Sequence, residues 1–332
     1  MFVRAALRSS RREWTRWSWG LCLAGLCLAG LGLAGLGLAA TALGQDALRV
    51  VDEPTKTWVK LGERPVMEYY HVPNPAKPYA AQLFSPAGVN VLRDSPADHK
   101  HHHGLMFAVA VDGVDFWSED PDCGQQKHVG GEEPGVKTHG DVPVASGKQE
   151  IDWIGPKDAK LLMRETRTIG VASLAEGPVT VVGWLGRFEP PPGKDAITLG
   201  GSAYFGLGMR FVQSMDKGGK FLNADGKTAV AGTNDARSAW CAYSASAEGK
   251  PVTVAMFDFP GNPRHPATWF TMDQGFAYLS ATLNLSKQPL KIEAGKPLDL
   301  RYAVAVWDGA VEKAKIDALY RRLVERMDRR EK

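Results

Sequence analysis

The chain has 332 residues, of which 44% are apolar, with 40 Lys and Arg against 37 Asp and Glu. That is enough apolar material for a large core, and it excludes a disordered chain. The net charge of +3 arises in the first 44 residues, which hold five Arg and one Glu; the remainder sets 35 basic against 36 acidic side chains, which excludes the basic footprint of a nucleic-acid partner.

Residues 1–44 read as a signal peptide. Arg4, Arg8, Arg11, Arg12 and Arg16 make a basic region, and an uncharged Leu/Ala/Gly run follows from Leu21 to Ala40. Ala42-Leu43-Gly44 then offers small residues for cleavage, with Gln45 as the expected mature start. The expected location is the periplasm or the cell exterior. The length of the apolar run leaves an uncleaved anchor open, and Ser10-Arg11-Arg12 leaves a twin-arginine route open beside ordinary secretion. Leu21 and Leu26 precede Cys22 and Cys27 where a lipoprotein signal needs a small residue. No second membrane-length segment occurs, so no further membrane contact is expected. Cys123 and Cys241 are left either to pair in an oxidising compartment or to stand as one loop thiol and one buried thiol.

Residues 45–332 read as one domain, because no Pro- or Ser-rich linker divides them. Strands are expected at residues 57–61, 66–72, 80–84, 104–111, 160–169, 179–188, 203–211, 239–244, 252–259, 276–283 and 299–307, where β-branched and aromatic residues gather between turn signals. Asp112-Gly113, Asp225-Gly226, Glu248-Gly249 and Asp308-Gly309 are such signals. Residues 121–150, rich in Gly, Glu, Lys and Pro, read as a long loop or a ragged hairpin. A helix is expected over about 310–330, with Ala314, Ala318, Leu319, Leu323 and Met327 at helical spacing. With no long helix among the strands, the fold class is all-β: a large antiparallel sandwich with one C-terminal helix.

The densest chemistry lies in Asp98-His99-Lys100-His101-His102-His103-Gly104, which holds four of the eight histidines. If this stretch opens the strand that follows, alternation turns His99, His101 and His103 to one face. Three imidazoles there suit a metal ion, proton transfer or a polar ligand. His128, His139, Asp98 and Glu132 are candidate further ligands. The cofactor is left open, one divalent metal ion being the candidate. A second candidate site is Pro260-Gly261-Asn262-Pro263-Arg264-His265-Pro266, a stiff loop that can present Arg264 and His265 to ligand oxygens. The third is Arg237-Ser238-Ala239-Trp240-Cys241-Ala242-Tyr243, where alternation sets Arg237, Ala239, Cys241 and Tyr243 on one face and Trp240 on the other. Among the tryptophans, Trp117 and Trp269 are expected beside a ligand.

Asp98-His99-Lys100-His101-His102-His103-Gly104-Leu105, Asp115-Phe116-Trp117, the run from Arg237 to Tyr243, Asn262 to Trp269 and Arg301 to Gly309 resemble, in this order, the motifs of the secreted bacterial family called "methane oxygenase PmoA". Lys100 stands where that pattern more often has Pro. The resemblance spans most of residues 50–325 and implies a carbohydrate ligand, with a more distant likeness to sandwiches of the galactose-mutarotase type. The expectation is an enzyme acting on a sugar or sugar derivative through a His/Arg pocket, with epimerase, lyase and hydrolase all open. In it His101 and His103 exchange protons, Asp115 orients a histidine, and Arg237, Arg264, His265, Trp117 and Trp269 hold a small-molecule or oligosaccharide ligand. The alternatives are a metal-dependent oxygenase or hydrolase using His99, His101 and His103, and a carbohydrate-binding protein without catalysis.

Overall fold

A computed structural model describes residues 47–331, apart from 73–75, 140–141 and 176. The expected signal segment and the expected mature start at Gln45 lie outside the described residues.

Two large antiparallel sheets face one another. The first has nine strands, in the order Leu48–Asp52, Lys56–Leu61, Arg64–Tyr70, Tyr79–Leu83, Leu105–Ala108, Gly206–Arg210, Tyr278–Thr282, Thr268–Met272 and Ala236–Arg237. The second has eight, in the order Lys220–Asn223, Trp240–Ala247, Lys250–Asp258, Leu298–Asp308, Val179–Glu189, Leu161–Leu174, Val142–Ile154 and Gln125–His139. The all-β, antiparallel sandwich read from the sequence is the observed class. A smaller sheet of four short strands, two of them Ala110–Val111 and Val114–Asp115, lies beside the pair.

The apolar runs follow from burial on both faces. In Lys250–Asp258, Val252, Val254 and Met256 enter the core between the sheets, while Ala255 and Phe257 enter a second core behind the eight-stranded sheet. Leu298–Asp308 alternates likewise, Tyr302, Val304 and Val306 facing in and Ala303, Ala305 and Trp307 facing out. Continuous apolar runs are what such central strands require. The helix Lys313–Glu331 covers the second core. Its buried stripe is Ile316, Leu319 and Leu323, at helical spacing. Ala314 is exposed, so the expected stripe is rotated by part of a turn.

Residues 121–150 are a hairpin, with Gln125–His139 paired to Val142–Ile154 and bulged between His128 and Gly130 and between Glu132 and Gly135. Glycines at the bulges account for its ragged pattern. Cys123 and Cys241 are both free, the first in a loop and the second in the core. Among the described residues no helix is long and apolar enough to cross a membrane.

Candidate active site

The histidine stretch does not open a strand. Asp94 and His103 form a bridge, and residues 95–102 between them fold as successive turns. The His99 amide donates to the Pro96 carbonyl and the His102 amide to the His99 carbonyl, both at 2.9 Å. The strand begins only at Leu105. Gly104 sets the boundary: its φ is +37°, and a Cβ there would collide with the Ala80 carbonyl oxygen of the neighbouring strand. The alternating face expected for His99, His101 and His103 is therefore replaced by a turn in which the His99, His101 and His102 rings pack on one another at 4.7–5.9 Å, while His103 is held by Asp94 and Glu119.

His103 is 1% exposed and held at both ends. Its Nδ1 lies 2.7 Å from Asp94 Oδ1 and its Nε2 2.9 Å from Glu119 Oε1. The same Glu119 oxygen accepts from Lys77 Nζ at 2.5 Å. Lys77 is 0% exposed and also donates to the Trp117 carbonyl at 3.0 Å. Tyr79 lies over the His103 ring, centroids 4.4 Å apart, and its hydroxyl donates to Asp94 Oδ2 at 3.1 Å. Two buried cations thus share two carboxylates, the arrangement that makes buried charge tolerable.

The electrostatics follow from these contacts. Burial opposes the His103 imidazolium, but the hydrogen bonds to Asp94 and Glu119 outweigh it and hold its pKa above the ordinary value. Burial likewise opposes the Glu119 anion, yet His103 and Lys77 hold that carboxyl below its usual range. Burial pulls the Lys77 ammonium down. His101 is also lowered, by burial and by the nearby Lys77 and His99, which leaves a neutral imidazole at neutral pH. His102 is pushed down to about 3 by burial and the charges of His101 and His99.

These groups line an open cleft of about 510 Å³ with Tyr79, Asp94, Ser95, Lys100, His101, His103, Glu119 and Asp120 on its walls. Both donors to Glu119 use Oε1. Oε2 has no protein donor among the described residues and is not a buried orphan, so it is open to solvent. A second depression, of about 200 Å³, lies between the sheets near Val50, Val59, Met67, Ile169 and Val171. Asp52, His71, His128, Glu132, Glu133 and Lys148 also stand on its walls, but only as separate pairs, His71 with Asp52 at 3.5 Å and Lys148 with Glu132 at 3.6 Å.

The sequence-derived candidates divide. His101 and His103 share the cleft. Asp115 does not orient a histidine: its Oδ1 accepts from the Trp117 and Ser118 amides at 2.6 and 3.4 Å and so caps a turn. Neither Trp117 nor Trp269 offers a ring face on which a sugar could stack, being 0% and 1% exposed. Trp117 stacks on Phe205 at 5.1 Å, and Trp269 Nε1 donates to the Ser238 carbonyl at 2.7 Å. Arg237, Arg264 and His265 form a separate cluster. Arg237 donates to the carbonyls of Pro266, Arg264 and His265. Arg264 donates to those of Leu283, Gln288 and Pro289. His265 Nδ1 pairs with Asp258 Oδ2 at 2.7 Å. Arg237 lies four strands from Leu105, about 19 Å at usual strand spacing. Register also puts it at the opposite end of the sheet, since Arg237 faces Thr268 and Thr282 whereas Leu105 faces Met209 and Leu279. The expected His/Arg pocket is corrected to a His/Lys/carboxylate cleft.

The expected metal set of His99, His101 and His103 does not converge on one point, although the His99 and His101 rings lie 5.9 Å apart. Both His103 nitrogens are engaged by carboxylates, and His99 Nδ1 lies 3.1 Å from Asp98. His128 packs against His71 at 5.6 Å, His139 sits at the end of its hairpin strand, and Glu132 faces Lys148 at 3.6 Å. Among the described residues no three His, Cys, Asp or Glu side chains gather as a metal set. Lys77, Asp94 and Glu119 were missed from the sequence. Ala76-Lys77-Pro78, Asp94-Ser95-Pro96 and Trp117-Ser118-Glu119 carry no catalytic spacing, and only the folded chain brings them to His103.

Fold and site together define an antiparallel β-sandwich with a charged cleft beside Tyr79–Leu83 and Leu105–Ala108, central strands of its larger sheet. The profile of a family of unknown function, DUF6807, matches residues 56–321, and the chain belongs to that family. No curated protein matches the sequence. Among solved structures the chain is similar to the galactosidase domain of the alpha-galactosidase-sucrose kinase AgaSK, with a TM-score of 0.42 and 11% identity over 80% of this chain and 41% of that one. The GH36 alpha-galactosidase AgaA from Geobacillus stearothermophilus, in complex with raffinose, gives 0.41, 11%, 80% and 41%. A galactose mutarotase related enzyme from Lactobacillus acidophilus gives 0.36, 7%, 80% and 98%. The chain thus spans about two fifths of the two galactosidase chains. No residue role follows from likenesses this low.

Proposed function

We propose that this protein is an enzyme of the periplasm or cell exterior that acts on a sugar or sugar derivative by proton transfer in the His103 cleft. The observation that carries this reading is the clamp on Glu119. His103 and Lys77 both hold Oε1, which fixes the carboxylate as an anion while Oε2 stays open to the cleft. A fixed anionic carboxylate beside a neutral imidazole, His101, gives the cleft two proton acceptors, either of which can take a proton from one ligand atom and, now protonated, return that same proton at another. Asp94, Ser95, Lys100 and Asp120 add acceptors and donors around the same space, which suits a ligand rich in hydroxyls. His103 and Lys77 act through Glu119 and are positioning residues. The name methane oxygenase PmoA-like belongs to the resemblance of the motifs, and the cleft chemistry proposed here requires no oxygenase step.

The test is turnover by the full chain on a panel of aldoses, uronates and glycosides, followed by product analysis. Turnover is expected to fall about a hundredfold or more in Glu119→Gln and in His101→Ala. Turnover that survives both substitutions overturns the assignment. Binding without turnover favours a carbohydrate-binding protein.

A further inference from the structure

Behind the histidine turn, the nine-stranded sheet carries a second set of polar atoms that proton transfer at Glu119 leaves unused. Arg210 and Tyr278 are register partners on neighbouring strands, so their side chains leave the same face. Gly208 lies on that face too. A Cβ there would collide with the Tyr278 hydroxyl and stand 3.0 Å from the Trp117 ring, so the missing side chain gives both rings their room. The His102 ring covers the group, 5.3 Å from Tyr278 and 6.2 Å from Trp117. Phe276 closes it, 3.5 Å from the Arg210 guanidinium and 5.5 Å from His102.

Arg210, Tyr278 and Trp117 are 1%, 2% and 0% exposed. Arg210 Nε and Nη1, the Tyr278 hydroxyl, Trp117 Nε1 and His102 Nδ1 are all buried without a hydrogen-bond partner among the described residues. Asp98 approaches Arg210 only at Nη2, at 3.7 Å. Buried polar atoms are nearly always bonded, so several orphans in one place call for a ligand or water that the protein itself does not supply. Their chemistry narrows the choice. Guanidinium and indole nitrogens only donate, and burial keeps the Tyr278 proton in place. His102 is neutral and adds no second charge. A buried guanidinium whose Nε and Nη1 lack partners, with Asp98 only near Nη2 and a phenol and an indole N–H alongside, fits an anion, and the guanidinium fork fits a carboxylate. The group adjoins the cleft: Lys77 donates to the Trp117 carbonyl, and the His101 and His102 rings are 4.7 Å apart.

We propose that Arg210, Tyr278 and Trp117 form a carboxylate subsite beside the cleft, so that the substrate is an acidic sugar of the uronate type. The substrate class rests on reading the cleft as a sugar site. The test is calorimetry on the full chain with glucuronate and galacturonate against glucose and galactose. At least one uronate is expected to bind about tenfold or more tighter than its neutral parent. Tyr278→Phe removes a hydroxyl that no protein group uses, so it should leave Tm unchanged and weaken that uronate by about tenfold. Arg210→Gln should abolish the preference. Equal affinity for acid and neutral sugars, no binding of either uronate, or Tyr278→Phe lowering Tm with uronate affinity intact would each overturn the subsite. The two readings fail separately. Uronate binding that depends on Tyr278 without turnover keeps the subsite and removes the enzyme. Turnover of neutral sugars that depends on Glu119, without uronate preference, does the reverse.

Discussion

His103 engages a carboxylate at each ring nitrogen, Asp94 at 2.7 Å and Glu119 at 2.9 Å. Because these bonds raise its pKa in the folded state, the imidazolium contributes stability that is fully present below its ordinary value of about 6.5. That contribution is lost as pH rises through the raised value. Glu119, held low, acts oppositely: its contribution is present above the ordinary carboxylate range and disappears as pH falls through its depressed value. Stability attributable to the clamp is therefore expected to be greatest between those limits. Histidine NMR titration should find the His103 midpoint above 6.5 in the wild type and lower in Glu119→Gln. The same variant leaves Lys77 buried without its carboxylate and should cost about 3 kcal/mol in denaturant unfolding. A midpoint at or below the ordinary value would contradict the clamp. The cluster of histidines was legible as chemistry in the sequence, since four of eight fall within five positions. Their partners were not. Glu119 lies 16 residues away across three short strands, and nothing in Trp117-Ser118-Glu119 marks its carboxylate as different from any surface acid.

The elements themselves were read best where both faces are buried. Lys250–Asp258 and Leu298–Asp308 announce themselves as unbroken β-branched and aromatic runs, because one face meets the other sheet and the other meets the C-terminal helix. Leu48–Asp52, Ala196–Gly200 and Leu290–Glu293 escaped notice, since four or five residues of mixed polarity carry no periodic signal. Residues 98–103 failed differently: an apolar strand follows them, but Gly104, with its positive φ, ends the turn and starts the strand. The helix gives an independent check. Leu323 is 1% exposed within the second core, which lies behind the eight-stranded sheet and away from the cleft. Leu323→Ala should cost about 2–5 kcal/mol in unfolding while ligand binding stays unchanged. Loss of binding at full stability would mean that the helix, not the cleft edge, serves the ligand.

At the scale of the whole molecule, strand order decides which motifs meet. The sequence could place Arg237, Arg264 and His103 each beside a strong strand, but not say how many strands lie between them. The nine-stranded sheet puts four strand intervals between Arg237 and Leu105, and Arg264 joins the Arg237 end. Arg264 spends its guanidinium on three backbone carbonyls, so its work is to tie a loop to the turn at Leu283–Pro289. Arg264→Ala is expected to lower Tm by a few degrees, on the order of 1–2 kcal/mol for its lost charged hydrogen bonds, with sugar affinity unaltered. A large fall in affinity without loss of stability would restore a pocket that spans the sheet. The central claim is that ligand chemistry takes place at the His103 cleft. The most direct measurement is the long-range proton–nitrogen NMR spectrum of the histidine rings during titration with the sugar and uronate panel. The account predicts that His101 and His103, which line the cleft, shift together on ligand addition while His71, His128 and His265 do not. Shifts at His71 and His128 or at His265, with His101 and His103 unmoved, would place the ligand elsewhere and contradict it.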